Sequence, residues 1–176
     1  AVSHEIGHHI VGKYVYQGVG MGTVPLKLHE ALADTLVFAR TNNPCLTELI
    51  CVPNLNEKCT YTGSLGQLCM NSKCLRYANQ TFILNDTRLT GNCAEDHVYG
   101  QVISGLNWDI GQKIGVEPMA KLIYKTVEYL PPSPGWGDYI GALAQADKEI
   151  NQNANACTLS QAAIKRGFGA YAKLFG

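Results

Sequence analysis

The chain has 176 residues, zero formal net charge, a hydrophobic share of 46% and only 16% charged residues. That length supports one domain with a real core, and the balanced charge offers no basic patch or run for a nucleic acid or an anionic membrane. No apolar stretch approaches the ~20 residues of a transmembrane helix, and seven cysteines are many for a reducing cytosol.

Residues 1–16 read as a helix. It carries His4-Glu5-Ile6-Gly7-His8, an H-E-x-x-H pattern. Residues four apart on a helix lie one above the other on the same face, so His4 and His8 can offer two imidazole nitrogens to one metal ion. Glu5 sits about 100° round from His4, where its carboxylate can take a proton from an attacking water. Gly18, Gly20 and Gly22 then break the helix and return the chain. A second helix spans 26–40, with apolar positions 28, 32, 36 and 39 on the helical period. Glu30 and Asp34 are again four apart and share a face with Ala33 and Val37. Two carboxylates on an apolar face are costly unless something positive or hydrogen-donating meets them. A metal on Glu30, and the ring N–H of a ligand histidine on Asp34, would meet both needs. Two histidines and one glutamate leave the fourth position of a tetrahedral zinc open, the arrangement of catalytic rather than structural sites.

H-E-x-x-H, a loop, then Glu-x-x-x-Asp on a second helix resembles the gluzincin metallopeptidases, and within them thermolysin and fungalysin. The resemblance implies one catalytic zinc held by His4, His8 and Glu30, with Glu5 as general base and Asp34 as the carboxylate behind a ligand histidine. It gives no reading for calcium. The metzincin pattern fails, since Val11 stands where its glycine and Tyr14 where its third histidine should be. Ala1 lies only three residues before the first ligand, and the first turn of a helix frays. The expectation is therefore that 1–176 is the C-terminal part of a longer peptidase, with a propeptide and a β-rich lobe upstream.

Residues 41–96 lack sustained periodicity. Six of the cysteines, Cys45, Cys51, Cys59, Cys69, Cys74 and Cys93, fall here, and their pairing cannot be read from spacing. Without a C-x-x-C pair, disulfides are favoured over a second metal site. With the sequons Asn79-Gln80-Thr81 and Asn85-Asp86-Thr87, they point to a secreted glycoprotein. The stretch reads as a disulfide-stapled insertion, mostly loop. It is taken as a structural excursion without a catalytic part, a substrate-binding rim being the alternative. The odd Cys157 pairs upstream or stays buried as a thiol.

Helical character resumes at 97–114, with Ile103, Leu106, Ile110 and Ile114 on one stripe. Further helices follow from Glu117-Pro118 to about Leu130, over 138–152 and over 159–174, with Asp138 and Thr158 or Ser160 as caps. His97-Val98-Tyr99-Gly100-Gln101 is similar to the H-x-x-G-[EQ] stretch of fungalysins, which implies His97 as the stabiliser of the oxyanion. Asp96 adjoins it. The family's tyrosine has no match here: Val19 falls near its spacing and Tyr14 and Tyr16 come earlier, with Tyr99 a substitute or a packing residue. His9 and His29 adjoin ligands in sequence but are expected to point to other helix faces.

The fold expected is mainly α, a thermolysin-like C-terminal helical domain with a cysteine-rich loop insertion. The function expected is zinc-dependent hydrolysis of peptide bonds in a peptide or protein substrate. An inactive peptidase-like binding domain and an aminopeptidase of the same clan are the alternatives.

Overall fold

The computed structural model describes residues 2–15, 22–46 and 74–176. The predicted breaks at Gly18 and Gly20, residues Tyr16 and Val19, and Cys51, Cys59 and Cys69 lie outside these residues. Among the described residues the protein is mainly helical, with α1 (Val2–Val11), α2 (Val24–Thr41), α3 (Asp96–Ile114), α4 (Val116–Glu128), α5 (Trp136–Asn151) and α6 (Ala156–Lys165). Short 3-10 segments cover Gly91–Ala94 and Gly169–Phe175. Among the described residues no strand forms, and Cys45 and Tyr77 make an isolated antiparallel bridge.

Local chemistry sets the helix ends. Pro25 lies in the first turn of α2, where its missing N–H costs nothing, and Asn42 closes the helix in the left-handed region at φ 49°. The Glu95 carboxylate caps α3 by accepting the N–H groups of His97 and Val98 at 3.1 and 3.3 Å. Asp138 is not the first flanking residue of α5. It reaches back from inside the first turn to accept the Gly135 N–H at 2.7 Å. Thr158 and Ser160 are not caps either, because α6 begins earlier, after Asn155. The continuous helix expected over 159–174 is broken. Gly167 takes φ 84°, a backbone that glycine adopts freely, and the Leu84 N–H bonds to the Arg166 carbonyl at 2.8 Å beside the break. The first helix also stops short of 16, at Val11, and continues as turns to Val15.

Helix α3 runs through the core, packed on α2, α4 and α6. Its stripe is buried at Val102, Ile103, Leu106 and Ile110, while Ile114 is half-buried. Around it lie Leu28 and Leu32 of α2, Met119 and Leu122 of α4, Tyr139 and Leu143 of α5, and Phe168. A buried polar chain threads these layers. The Tyr139 hydroxyl donates to Asn107 Oδ1 at 2.6 Å, the Asn107 amide donates to Thr35 Oγ1 at 3.1 Å, and Thr35 donates to the Ala31 carbonyl at 2.7 Å. Because each of these groups has a partner, the chain ties α5 and α3 to the turn of α2 that bears Asp34.

Helix α1 lies against α2 unusually closely. A Cβ added at Gly7 would come 2.7 Å from Ala33 Cα. Gly7 is thus the residue of the H-E-x-x-H turn that lets the backbones of α1 and α2 approach. Between α2 and α3, Gly100 is likewise bare, since a Cβ there would come 2.8 Å from the Lys27 carbonyl oxygen.

The segment from Cys74 to Glu95 has little regular structure, yet it is firmly anchored. Cys74 is disulfide-bonded to Cys45, and Cys93 is also disulfide-bonded. The Tyr77 N–H donates to Gln101 Oε1 at 2.7 Å. Buried Arg166 donates to the carbonyls of Gln80 and Phe82 at 2.7 and 3.1 Å and pairs with Asp109 at 2.6 Å. Cys157 is an exposed free thiol rather than a buried one.

Candidate metal centre

The two histidines of α1 and the glutamate of α2 meet. Ligand atoms of His4, His8 and Glu30 all lie within 4.8 Å of one another. Nε2 of His4 is 2.9 Å from Nε2 of His8. The Glu30 carboxylate faces both, with Oε2 3.3 Å from His4 and Oε1 3.5 Å from His8. The cluster is mostly shielded, with His4 and Glu30 buried and His8 half-buried.

The other ring nitrogens show how the histidines are held. Nδ1 of His4 lies 2.8 Å from Oδ1 of Asp34, so its N–H donates to that carboxylate and Nε2 is the nitrogen that a cation would take in place of a proton. Asp34 in turn is gripped by Arg76, which donates through Nη2 to Oδ1 at 2.8 Å and through Nε to Oδ2. This fork-on-fork pairing fixes the carboxylate's plane. Nδ1 of His8 lies 2.6 Å from Nδ1 of His29, with the two ring planes 29° apart.

Charge shapes the site. Burial opposes a charge on Glu30, but the ring nitrogens of His4 and His8 outweigh it and hold the carboxyl well below its usual range. Burial likewise opposes a charge on His4, and the Asp34 and Glu30 carboxylates overcome it, raising that imidazole to about 9. His29 goes the other way. Burial and the neighbouring His8 ring push it down to about 4. The cluster therefore attracts positive charge at the point where the two Nε2 atoms and Glu30 converge.

Two more groups flank this point. His97, 46% exposed at its side chain, turns Nε2 to within 3.2 Å of Glu30 Oε2 and bonds through Nδ1 to Glu95 Oε1. Glu5 is exposed on the same turn of α1 as His4. Oε2 of Glu30 is buried and makes no hydrogen bond among the described residues, although two imidazoles lie near it. A buried carboxylate oxygen without a hydrogen bond, beside the inward-facing Nε2 atoms of His4 and His8, fits a divalent cation with a taste for nitrogen and oxygen donors. Zinc is such an ion.

Three residues of the surroundings were not expected from the sequence. Arg76 comes from the stretch taken as a structural excursion, and its side chain is part of the cluster's support. His29, expected to point away, is buried against His8. Glu95 bonds to His97, whereas Asp96 turns from it and accepts the Gly22 N–H at 3.1 and 2.9 Å. Tyr99 packs: it stacks on Trp136, and the Lys27 ammonium lies over its ring at 4.5 Å. His9 is exposed. The only local signal for Arg76 was a cation within a cysteine-flanked loop, and for His29 its place next to Glu30. Comparison with protein-family models, with characterised proteins and with solved structures returns no match.

Proposed function

We propose that this chain is the catalytic portion of a secreted zinc endopeptidase of the gluzincin kind, acting on peptide bonds. The observation that carries the reading is the convergence of His4, His8 and Glu30 within 4.8 Å, with an exposed carboxylate and an exposed imidazole beside it. His4 Nε2, His8 Nε2 and a Glu30 oxygen would hold the ion. When bound, zinc supplies Lewis acidity, which makes a water acidic near neutral pH and polarises a carbonyl.

The chain's own residues do the rest. Glu5 accepts the proton of the attacking water and delivers it to the departing amine. His97 donates from Nε2 to the oxyanion that develops on the attacked carbonyl. For that, Nε2 must carry a proton, and the Glu95 carboxylate against Nδ1 orients the ring. Asp34 and Arg76 keep the His4 ring oriented. No side chain forms a covalent intermediate in this scheme. The Cys45–Cys74 bridge and the bonded Cys93 support an oxidising, secretory setting.

The test is Glu5→Gln in the intact protein. Bound zinc should stay at one equivalent while hydrolysis of a peptide substrate falls by about 10²–10⁴-fold, the usual worth of a positioned acid–base group. Undiminished turnover in that variant would end the proposal.

A further inference from the structure

We infer that His29 is a positioning residue for the metal centre: it accepts the Nδ1 proton of His8 and so holds His8 in the tautomer whose Nε2 lone pair faces the ion. The inference rests on the metal-binding reading above and says how one of its ligands is set. The Nδ1 atoms of His8 and His29 lie 2.6 Å apart. At that separation neither two lone pairs nor two N–H groups can face each other, so one proton lies between the rings. A neutral imidazole has a single N–H. If His29 donates, the His8 proton sits on Nε2, aimed at His4 Nε2 2.9 Å away, and that nitrogen cannot bind a cation. If His8 donates, Nε2 is bare, and two bare Nε2 atoms 2.9 Å apart need a cation between them. Metal binding through Nε2 therefore requires His29 to be the acceptor.

The choice of residue also has a physical reason. His4 already leans on a carboxylate, and that carboxylate needs Arg76 to neutralise it. A second carboxylate behind His8 would add a third buried negative charge to Asp34 and Glu30, and each further buried charge is costly. A neutral ring accepts the same proton without that charge. The close α1–α2 approach at Gly7 lets consecutive residues of α2 reach one side chain of α1. His29 meets Nδ1 of His8, and Glu30 lies 3.5 Å from its Nε2.

The experiment measures zinc affinity by chelator competition in the protein and in His29→Asn and His29→Leu. The Oδ1 of asparagine hangs on Cγ as Nδ1 does in histidine, so His29→Asn keeps an acceptor in place, whereas leucine fills the space without one. The expected result is near-normal affinity for His29→Asn and a loss of about 10–100-fold for His29→Leu, the range seen when a ligand's supporting partner is removed. Ring ¹⁵N NMR of the zinc-loaded protein gives a reading that needs no variant, and His29 should be protonated on Nε2 and bare on Nδ1. A proton on His29 Nδ1, or His29→Leu binding as tightly as the parent, overturns the assignment while leaving the metal centre standing. Failure of the parent to bind one equivalent of zinc overturns the metal centre itself, and this inference with it.

Discussion

Asp34 is the residue on which the support of the cluster turns, because it is 1% exposed and carries two demands at once. One oxygen orients His4 and both are forked by Arg76. Removing one partner of a buried ion pair costs about 3–5 kcal/mol, since the remaining charge is stranded, whereas removing both is often far milder. Arg76→Met should therefore destabilise the protein by roughly that amount, and adding Asp34→Asn should recover part of the loss. Urea unfolding of both single variants and the double variant checks this, and simple additivity would show that the two side chains are not coupled. The same pair shows what a sequence can disclose at this scale. His4, Glu5 and His8 share one turn and Glu30 and Asp34 share another, so helix geometry alone places them. Arg76 lies 42 positions beyond Asp34, and no periodicity connects them. His29 was misread for a related reason: the angle between neighbours on an isolated helix says nothing about a second helix close enough to meet both.

At the scale of elements the site depends on how near α1 comes to α2. Gly7 makes that approach, and its would-be Cβ meets backbone, the Cα of Ala33 at 2.7 Å, rather than the yielding end of a side chain. Gly7→Ala should push the helices apart at a cost of about 1–3 kcal/mol for the overpacking, and should weaken zinc binding as well because the ligands come from both helices. Trimming the opposite methyl with Ala33→Gly should not restore either property, since the nearest atom remains. Melting curves and chelator competition on Gly7→Ala with and without Ala33→Gly test this, and full rescue by the second change would refute it. Most helices were legible from apolar period and from proline and glycine placement. The break at Gly167 was not. Its cause is the irregular 79–90 segment, where Leu84 bonds to the Arg166 carbonyl, and a contact made by a distant loop leaves no mark on the helix's own pattern.

For the whole molecule, the irregular stretch from Cys74 to Glu95 changes from an appendage into part of the support of the His4, His8 and Glu30 cluster. Cys74 is bridged to Cys45, just beyond the end of α2, across a sequence separation of 29. Two backbone bonds continue the clamp, Leu46 N–H to the Arg76 carbonyl at 3.1 Å and Ala78 N–H to the Pro44 carbonyl at 2.8 Å. Arg76 is thus delivered to Asp34 from a backbone fixed at both sides, which matters because a long arginine side chain otherwise loses considerable rotamer entropy on being ordered. Cysteine spacing could not disclose this, because it does not fix which cysteines pair. The double replacement Cys45→Ala/Cys74→Ala should lower stability by about 3–4 kcal/mol, the loop-closure entropy for a loop of that length. It should also weaken zinc binding in the fraction that remains folded, because Arg76 loses its anchorage and Asp34 its orientation. The two effects are separable. Unfolding by urea reports the first, and zinc competition at low denaturant, where the helical signal is intact, reports the second. Lost stability with unchanged zinc affinity would mean that the bridge serves only the fold, and that Arg76 finds Asp34 without its help.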